Sequence, residues 1–311
     1  MNKKILITGG LGHIGSYLAR KLTDDGYLVT ILDNFLTNRY CSLFDFNKPI
    51  TFVEDSIENL GVDFLKQFDV VYHSAAVVNA ADSFLNKDQI EKVNVKQTKN
   101  LIDNCLEARV PQFIFPSSTS VYGIADDIVF EDNPKFINPQ SPYAEAKIEI
   151  ENYLKENSNN YTIFRFGTIH GVSVGMRFQT AVNKFCYQAS LGIPLTVWED
   201  NYEMKRPYLS LIDAYQAIIH SMVKSGTFIT ANKFLGETFN VVTGNYTLKD
   251  IIYFISLYSP HKVEIGWVKT PLLNQYNYTV SFSKIQNFGF VPVGDIQEDI
   301  KNTMILLRNL K

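Results

Sequence analysis

The chain has few cysteines, and their spacing does not suit a metal site. Three of its 311 residues are cysteines, Cys41, Cys105 and Cys186, and they lie far apart without CxxC or Cys/His spacing. Their number is odd, which does not suggest a disulfide framework. We therefore expect reduced thiols, a cytoplasmic protein and no bound metal ion.

Long runs of one charge and long apolar runs are also missing. The formal net charge is −3, from 29 Lys and Arg against 32 Asp and Glu, and neither sign is concentrated in one stretch. This balance disfavours a nucleic-acid or membrane-surface partner and favours a small molecule. No stretch reaches the roughly 18 apolar residues that a membrane span requires. The first apolar run, 5–7, is too short for the core of a secretory signal.

The beginning of the chain has the pattern of a βαβ unit. A short apolar strand over 4–8 ends in glycines, a helix over 14–25 follows, and a second apolar strand covers 27–32. Continuous apolar runs of this length are typical of strands that are buried on both faces of a parallel sheet. We therefore expect a parallel sheet covered by helices.

A glycine-rich turn, GGLGHIG over residues 9–15, joins the first strand to the helix. Gly9, Gly12 and Gly15 would let the backbone approach a pyrophosphate, which would rest on the helix N-terminus. Asp33 follows Gly15 by 18 residues, near the offset at which a carboxylate accepts ribose hydroxyls and repels a 2′-phosphate. We therefore predict NAD as the cofactor, with Arg39 weakening the preference over NADP. The alternative is a glycine turn that binds nothing.

Strands and helices continue to alternate through 50–53, 70–76, 89–108, 112–115, 143–157 and 161–166. Beyond them the elements are shorter and mixed, although 208–212 has strand character and 213–223 helical character. The predicted fold class is α/β, a Rossmann-type doubly wound parallel sheet with a smaller mixed α/β C-terminal domain. We assign 1–166 to an NAD-binding domain that also reclaims about 208–224, and 167–311 to a substrate-binding domain.

Polar side chains follow several predicted strands at the edge of the sheet where cofactors approach. Asp55, after the third strand, could meet the adenine or cap the next helix. His73, in the fourth, could be a base or a ligand, but a lone histidine at a strand end more often makes structural hydrogen bonds. The fifth strand leads into SSTS over 117–120, which could orient a substrate oxygen or form a turn.

Tyr143 and Lys147 lie four residues apart in a predicted helix. Residues at this spacing share a face, so the phenol and the ammonium would project together. A tyrosine ordinarily has a pKa near 10, and a neighbouring cation would lower this pKa enough to make the phenol a base. The alternative is a chance pair on a solvated helix.

In this order, the glycine turn, the hydroxyl-rich segment and the Tyr-Lys helix resemble the extended short-chain dehydrogenases/reductases, in the branch of nucleotide-sugar epimerases and dehydratases. The resemblance covers most of the chain and includes HSAA over 73–76, RFGTIHG over 165–171 and RPYLSLID over 206–213. It implies a catalytic triad of Ser118, Tyr143 and Lys147. It also implies a homodimer formed through the helices over 89–108 and around Tyr143.

The pattern and the resemblance together assign two sets of binding residues. The cofactor residues are Gly9, Gly12, His13, Ile14, Gly15, Asp33, Asn34, Asp55, Ser56, Ala75, Ala76, Asn94, Tyr143 and Lys147. The substrate residues are Ser118, Thr119, Thr168, Arg177 and Arg206.

The reaction implied by the resemblance is epimerisation of a nucleotide sugar through transient oxidation of a sugar hydroxyl, at C4, to a ketone. Family dehydratases carry Asp-Glu directly after the catalytic hydroxyl residue, where this chain has Thr119 and Ser120. Since neither hydroxyl is an effective acid or base near neutral pH, this departure disfavours dehydration. Thr168 stands where many family members place an asparagine on the diphosphate. The alternatives are a sugar reductase that turns over its cofactor and a non-catalytic cofactor-binding protein.

Overall fold

The structure of the protein is a computed structural model that describes residues 3–78, 82–125, 127–222, 232–269 and 278–310. Its strands are β1 (Lys4–Thr8), β2 (Leu28–Asp33), β3 (Thr51–Glu54), β4 (Val70–His73), β5 (Gln112–Ser118), β6 (Ile128–Val129), β7 (Tyr161–Phe166), β8 (Thr168–His170), β9 (Leu195–Trp198), β10 (Lys205–Ser210), β11 (Glu237–Val241), β12 (Gly244–Thr247), β13 (Ile265–Val268) and β14 (Thr279–Val280). Its α-helices are α1 (His13–Asp24), α2 (Val62–Leu65), α3 (Lys87–Ile90), α4 (Thr98–Glu107), α5 (Pro142–Asn157), α6 (Ala181–Ser190), α7 (Leu211–Ser221), α8 (Leu248–Tyr258), α9 (Ser283–Asn287) and α10 (Ile296–Leu307). None of the described helices is long and apolar enough to cross a membrane.

Seven strands form one sheet in the order β3-β2-β1-β4-β5-β7-β11, and every neighbouring pair is parallel. Their apolar side chains are buried, as in β1, where Ile5, Leu6 and Ile7 have no exposed surface. Helices cover both faces, because α1 and α7 share one core cluster with the sheet while α4 and α5 share another. The predicted doubly wound α/β fold is confirmed.

The strand order reverses at β1, which pairs with β2 on one side and with β4 on the other. In doubly wound sheets, ligands bind outside the carboxyl ends of the strands at such a point. The glycine turn follows β1, Asp33 ends β2, Ala75 follows β4 and Ser118 ends β5. The sheet therefore brings four sequence-predicted segments to one edge.

Three smaller sheets have the strand orders β12-β10-β8, β13-β9 and β14-β6, and all their strands except β6 lie in the C-terminal half of the chain. Helices α6, α8 and α10 form a core with strands β9, β10, β12 and β13, while β6 and β14 share a separate cluster. The sequence pattern grouped 208–212 with 213–223. Strand β10 pairs with β8 and β12 in a small sheet, and its Leu209 packs in the same core cluster as α7 and α1. Residues 223 and 224 lie outside the described residues.

The seventh strand of the large sheet, β11, was missed by the sequence analysis. Its residues, ETFNV, alternate between polar and apolar side chains instead of forming an apolar run. Asn240 has no exposed surface. Its buried amide is satisfied, because it donates to the carbonyl of Ser281 at 2.9 Å and accepts from the hydroxyl of Tyr122 at 2.6 Å. A buried strand that carries satisfied polar groups does not have the apolar pattern that predicts such strands.

The predicted helix over 89–108 changes type along its length. Between α3 and α4, residues Glu91–Gln97 are π-helical. Turns of this kind are rare and often occur at functional sites. This turn contains Asn94, whose amide bonds to the backbone N–H and C=O of Val77 at 2.8 and 2.9 Å. Asn94 therefore holds the loop that follows β4.

Candidate active site

The glycine turn has no room for side chains where the sequence analysis placed its glycines. Gly9 has a φ of +65°, and a Cβ there would lie 2.6 Å from the backbone of Ala75. A Cβ on Gly15 would lie 2.6 Å from the carbonyl oxygen of Gly9. Gly12 is the N-cap of α1. The turn therefore leads tightly into a helix N-terminus, where amides and the helix dipole favour an anion.

The carboxylate of Asp33 is fixed beside this turn. It accepts hydrogen bonds from the backbone N–H groups of Leu11 at 3.1 Å and Phe35 at 2.9 Å. The amide of Asn34 donates to the hydroxyl of Ser56 at 3.0 Å, which connects the ends of β2 and β3. The carboxylate and its neighbours thus have a defined orientation at the cavity wall.

Asp55 follows β3 and is tied to the turn after that strand. Its Oδ1 accepts from the backbone N–H of Ser56 at 2.7 Å and from the amide of Asn59 at 2.6 Å. These contacts support the structural alternative, and Asp55 also lines the cavity described below. Both interpretations of Asp55 therefore keep support.

Tyr143 and Lys147 lie one turn apart near the start of α5. The hydroxyl of Ser141 caps this helix by accepting from the backbone N–H of Ala144 at 3.3 Å. The Lys147 ammonium lies 5.7 Å from the centre of the Tyr143 ring and donates to the carbonyl of Pro116 at 2.7 Å. The predicted pair therefore shares one face of the helix.

Burial controls the proton equilibria of this pair. It raises the pKa of Tyr143 above its ordinary value, and the positive charge of Arg177 opposes the rise. It lowers the pKa of Lys147 to about 7, with Glu151 opposing. The sequence analysis expected a lowered pKa for Tyr143, but in the protein chain by itself this pKa is raised, because burial has the largest effect. The phenol therefore holds its proton at neutral pH in the protein chain by itself.

Ser118 ends β5 and opens the hydroxyl-rich segment. Its Oγ accepts from the backbone N–H of Ser120 at 3.1 Å. Thr119 is 3% exposed and donates to the carbonyl of Phe166 at 3.3 Å, and the Tyr278 hydroxyl lies 3.5 Å from it. The sequence analysis left open whether residues 117–120 form a turn or present hydroxyls to a substrate. The structure is compatible with both, because the segment turns after β5 and Ser118 and Thr119 also line the cavity.

A buried ion pair beneath this segment was not identified from the sequence. Ser117 donates to Glu151 at 2.5 Å, and Glu151 pairs with Arg165 at 2.6 Å. Arg165 also donates to the hydroxyl of Tyr122 at 2.9 Å. The sequence could have indicated Glu151, because it follows Lys147 by four residues and therefore lies on the same face of the helix. The pair holds β5, β7 and α5 together directly behind the catalytic candidates.

His73 makes structural hydrogen bonds, as the sequence analysis favoured. Its ring nitrogens lie 2.7 Å from the hydroxyl of Thr8 and 3.0 Å from that of Thr98. Burial lowers the pKa of His73 to about 3, so the ring is neutral near pH 7. Within the described residues, no group of three or more His, Cys, Asp or Glu side chains could hold a metal ion.

One cavity of about 550 Å³ joins these features. The predicted site residues in its wall are Gly9, Gly12, His13, Ile14, Gly15, Asp33, Asn34, Asp55, Ser56, Ala75, Ala76, Ser118, Thr119, Tyr143, Lys147, Thr168, Arg177 and Arg206. Asn94 does not line the cavity. Its side chain instead holds the backbone of Val77 by two hydrogen bonds. Wall residues that the sequence analysis did not select include Lys184, Trp198, Asn201, Tyr208 and Tyr278.

The substrate candidates come from the small sheets. Thr168 on β8 is in register with Tyr208 on β10, so their side chains lie on the same face. Arg206 is two residues before Tyr208 and shares that face. These neighbours come from distant parts of the chain, which explains why the sequence did not group them.

Comparison with known proteins identifies the family. Residues 5–241 match the model described as NAD dependent epimerase/dehydratase family. The chain belongs to this family. A putative UDP-glucose 4-epimerase of Methanocaldococcus jannaschii is 25% identical over 98% of both chains. A UDP-N-acetyl-alpha-D-glucosaminuronate decarboxylase of Bacillus cytotoxicus is 29% identical over 71% of this chain and 72% of its own.

Solved structures of family members have the same fold. An NAD dependent NDP-hexosamine 5,6-dehydratase of tunicamycin biosynthesis is 26% identical, with a TM-score of 0.85 over 100% of this chain and 99% of its own. A UDP-glucuronic acid 4-epimerase of Bacillus cereus, in complex with UDP-glucuronic acid and NAD, gives a TM-score of 0.87 at 24% identity over 99% and 100%. The resemblance to extended short-chain dehydrogenases/reductases is therefore confirmed, as is the NAD-dependent class of enzyme.

The cavity fits the cofactor of the family. Gly9 and Gly15 allow a tight turn that a Cβ would obstruct, the turn ends at a helix N-terminus, and Asp33 presents a fixed carboxylate one strand away. These three features match a pyrophosphate and a ribose without a 2′-phosphate. NAD is thus the cofactor, as the sequence analysis predicted.

Proposed function

We propose that the protein is a nucleotide-sugar epimerase that transiently oxidises a sugar hydroxyl, at C4, and reduces the ketone from the opposite side. The observation that carries this proposal is the chemistry around Ser118. Among the described wall residues, the carboxylates are Asp33 and Asp55, which lie at the ends of β2 and β3. Hydroxyl groups surround Ser118 instead, and these cannot supply the acid and base that water loss requires.

Tyr143, Ser118 and Lys147 each have a separate role in the proposed reaction. Tyr143, as its phenolate, accepts the proton of the sugar hydroxyl and later returns it, while Ser118 holds the oxygen by a hydrogen bond. The positive charge of Lys147, together with that of bound NAD, would lower the pKa of Tyr143 and so favour the phenolate. When bound, NAD supplies the hydride acceptor and donor together with a positive charge.

The substrate is proposed to extend from Ser118 toward the small sheets. Arg206 is a candidate ligand of the diphosphate, and Thr168 and Thr119 contribute hydroxyls to the same wall. In this division, residues 1–166 and about 208–224 hold NAD, and 167–311 hold the nucleotide sugar. The relatives named above act on UDP- and NDP-sugars, which supports the substrate class and leaves the individual sugar to experiment.

Two further features complete the proposal. We expect a homodimer through the helical stretch from α3 to α4 and through α5, which sedimentation analysis would test. We also expect the protein to work in the cytoplasm, because Cys41, Cys105 and Cys186, all in described segments, are free thiols.

The test uses nucleotide sugars deuterated at C4. UDP-glucose, UDP-N-acetylglucosamine and UDP-glucuronic acid are incubated with purified protein, and the products are separated and weighed by mass spectrometry. An epimer of unchanged mass that keeps its deuterium, without net NADH, is the expected result. Loss of water or of carbon dioxide would overturn the proposal in favour of a dehydratase or a decarboxylase. Consumption of added NADH would indicate the reductase, and no reaction with any sugar would favour the non-catalytic alternative.

A further inference from the structure

Residues 171–177, here called the strap, connect β8 toward α6 and lie on the glycine turn. The His13 ring lies 2.9 Å from the carbonyl of Gly171, and the Ser173 hydroxyl donates to the carbonyl of His13 at 2.9 Å. The backbone N–H of Gly175 donates to the Ser16 hydroxyl at 3.0 Å. Three separate hydrogen bonds thus attach the strap to the start of α1.

Gly175 shows how closely the strap approaches the turn. A Cβ on this residue would lie 2.3 Å from the carbonyl oxygen of Leu11 and 2.6 Å from that of Gly12. Real Cβ contacts are never this short, so any side chain at Gly175 would push the strap away from the turn. The strap therefore lies in direct contact with the turn that approaches the pyrophosphate, and its last residue, Arg177, lines the cavity.

The end of the strap crosses to the opposite wall. Arg177 donates to the carbonyl of Val78 at 3.0 Å, and Val78 lies in the loop after β4. This loop and the glycine turn follow neighbouring strands of the sheet, and the groove lies between them. The Arg177–Val78 hydrogen bond therefore bridges the groove at a point where Val78 is 40% exposed.

Among the described residues, no acidic side chain pairs with Arg177. Within the part of the chain that the structure describes, its side chain bonds to Val78 and forms no ion pair. Burial lowers the pKa of its guanidinium, and the positive charge of Arg39 lowers it further. Arg39 itself lies over the glycine turn, with Nη1 3.8 Å from the position of a Cβ on Gly12. Two cations so close to one turn favour an anion between them.

We propose that the strap retains the bound dinucleotide, and that Arg177 is the residue that closes it, by bonding to Val78 across the groove and by attracting the pyrophosphate. This inference uses NAD as the cofactor and does not depend on which sugar reacts. It gives Arg177 a role toward the cofactor instead of the substrate role that the sequence suggested. It also gives a physical reason for an epimerase to keep one NAD through both hydride transfers.

The experiment compares Arg177→Ala and Gly175→Ala with the wild type and with Arg308→Ala, an exposed arginine outside the cavity. Each holoprotein is loaded with isotopically labelled NAD and mixed with excess unlabelled NAD, and the label that remains bound is followed over time. Because Arg177→Ala removes both the hydrogen bond across the groove and a positive charge beside the pyrophosphate, we expect release at least about tenfold faster in this variant. Gly175→Ala should accelerate release while keeping the guanidinium, and Arg308→Ala should match the wild type.

Unchanged release in both strap variants would overturn the proposal. A raised KM for the nucleotide sugar with unchanged release in Arg177→Ala would do so too, and would return Arg177 to the substrate. Circular dichroism verifies folding, and Gly175→Ala keeps the test decisive if Arg177→Ala does not fold. Since release is measured without a sugar, failure of the epimerase assay and failure of the strap are separate results.

Discussion

The two ends of the cavity differ in how their polar groups are satisfied. At the cofactor end, the carboxylate of Asp33 accepts from two backbone amides and Asn34 bonds to a neighbouring hydroxyl. At the substrate end, buried polar atoms of Ser120, Asn201 and Tyr208 have no hydrogen-bond partner within the described residues. A buried group left in this state costs roughly 1–3 kcal/mol. Nδ1 of His13 is in the same state at the cofactor end, where the carboxylate and amide named above are otherwise satisfied. The proposed substrate end keeps more buried groups that a ligand could bond.

This difference agrees with a cofactor that stays and a substrate that exchanges. A preorganised glycine turn holds NAD without rearrangement, which reduces the cost of binding. Unpaired groups at the other end make the empty substrate site less stable and increase the gain on binding. Five substitutions would test this difference between the two ends.

Tyr143→Phe should have the largest effect. Removing the phenol removes the acid/base while the ring still packs beside Ile90 and Ala146. We expect turnover to fall by about 10²–10⁴-fold, the range for general acid/base groups, with NAD content unchanged. Coupled assays and NAD released on denaturation would measure both.

Tyr153→Phe is the matched control for this variant. Tyr153 lies on the same helix, and its hydroxyl donates to Asp103 at the surface at 2.7 Å. Its removal should leave turnover near the wild-type value. Near-normal turnover of Tyr143→Phe would exclude Tyr143 as the catalytic acid/base. Loss of NAD in that variant would instead show that the two ends of the cavity are not independent.

Gly15→Ala should disturb the cofactor end alone. Its Cβ would meet the Gly9 carbonyl at 2.6 Å, and overpacking of this kind costs about 1–3 kcal/mol. We expect NAD affinity to fall at least about tenfold, as measured by calorimetry, because the turn must widen where the pyrophosphate binds. Gly61→Ala is the control, since nothing lies within 4 Å of a Cβ there. Equal NAD affinity in both variants would argue against the glycine cradle.

The contrast between the two ends also explains what the sequence could reveal. The cofactor end is formed by elements that are consecutive in the sequence: a strand, a glycine turn, a helix, and a second strand that ends at Asp33. Spacing along the chain is then enough to predict geometry. Tyr143 and Lys147 are likewise one helical turn apart, so their shared face follows from the period of the helix.

The substrate end depends on pairings between distant segments. Thr168 meets Tyr208 only because β8 pairs with β10, and no periodicity encodes that register. Strand β11 was missed because Asn240 interrupts its apolar pattern with a polar group that the fold satisfies. The rise in the pKa of Tyr143 was missed for a related reason, since helix spacing shows which charges are near but not how deeply they are buried.

Lys147→Met should change how stability depends on pH. Burial lowers the pKa of Lys147 from 10.5 to about 7 in the folded protein. Between these values the unfolded chain binds more protons, so raising the pH stabilises the folded state, by up to ~1.4 kcal/mol per pH unit for one proton. Below pH 7 both states are protonated and the penalty is constant. The variant should lack this rise.

Urea unfolding of NAD-free protein between pH 7 and pH 9 would measure the difference between wild type and Lys147→Met. Lys155→Met is the control, because its ammonium lies at the surface of the same helix, near Glu151. A difference that stays constant across the range would mean that Lys147 keeps its ordinary pKa. The catalytic pair would then be more hydrated than its burial indicates.

Tyr208→Phe and Tyr122→Phe should have the smallest effects, and of opposite sign. Both hydroxyls are buried, but that of Tyr122 bonds to Asn240 and Arg165 while that of Tyr208 has no partner among the described residues. Removing the satisfied hydroxyl takes one hydrogen bond from each of two buried groups, Asn240 and Arg165, and should lower the free energy of unfolding by about 1–3 kcal/mol. Removing the unpaired one should leave it unchanged or raise it by about 1 kcal/mol, while substrate affinity falls. If Tyr208→Phe instead destabilises the ligand-free protein as much as Tyr122→Phe, its hydroxyl already has a partner, and the substrate end is as complete as the cofactor end.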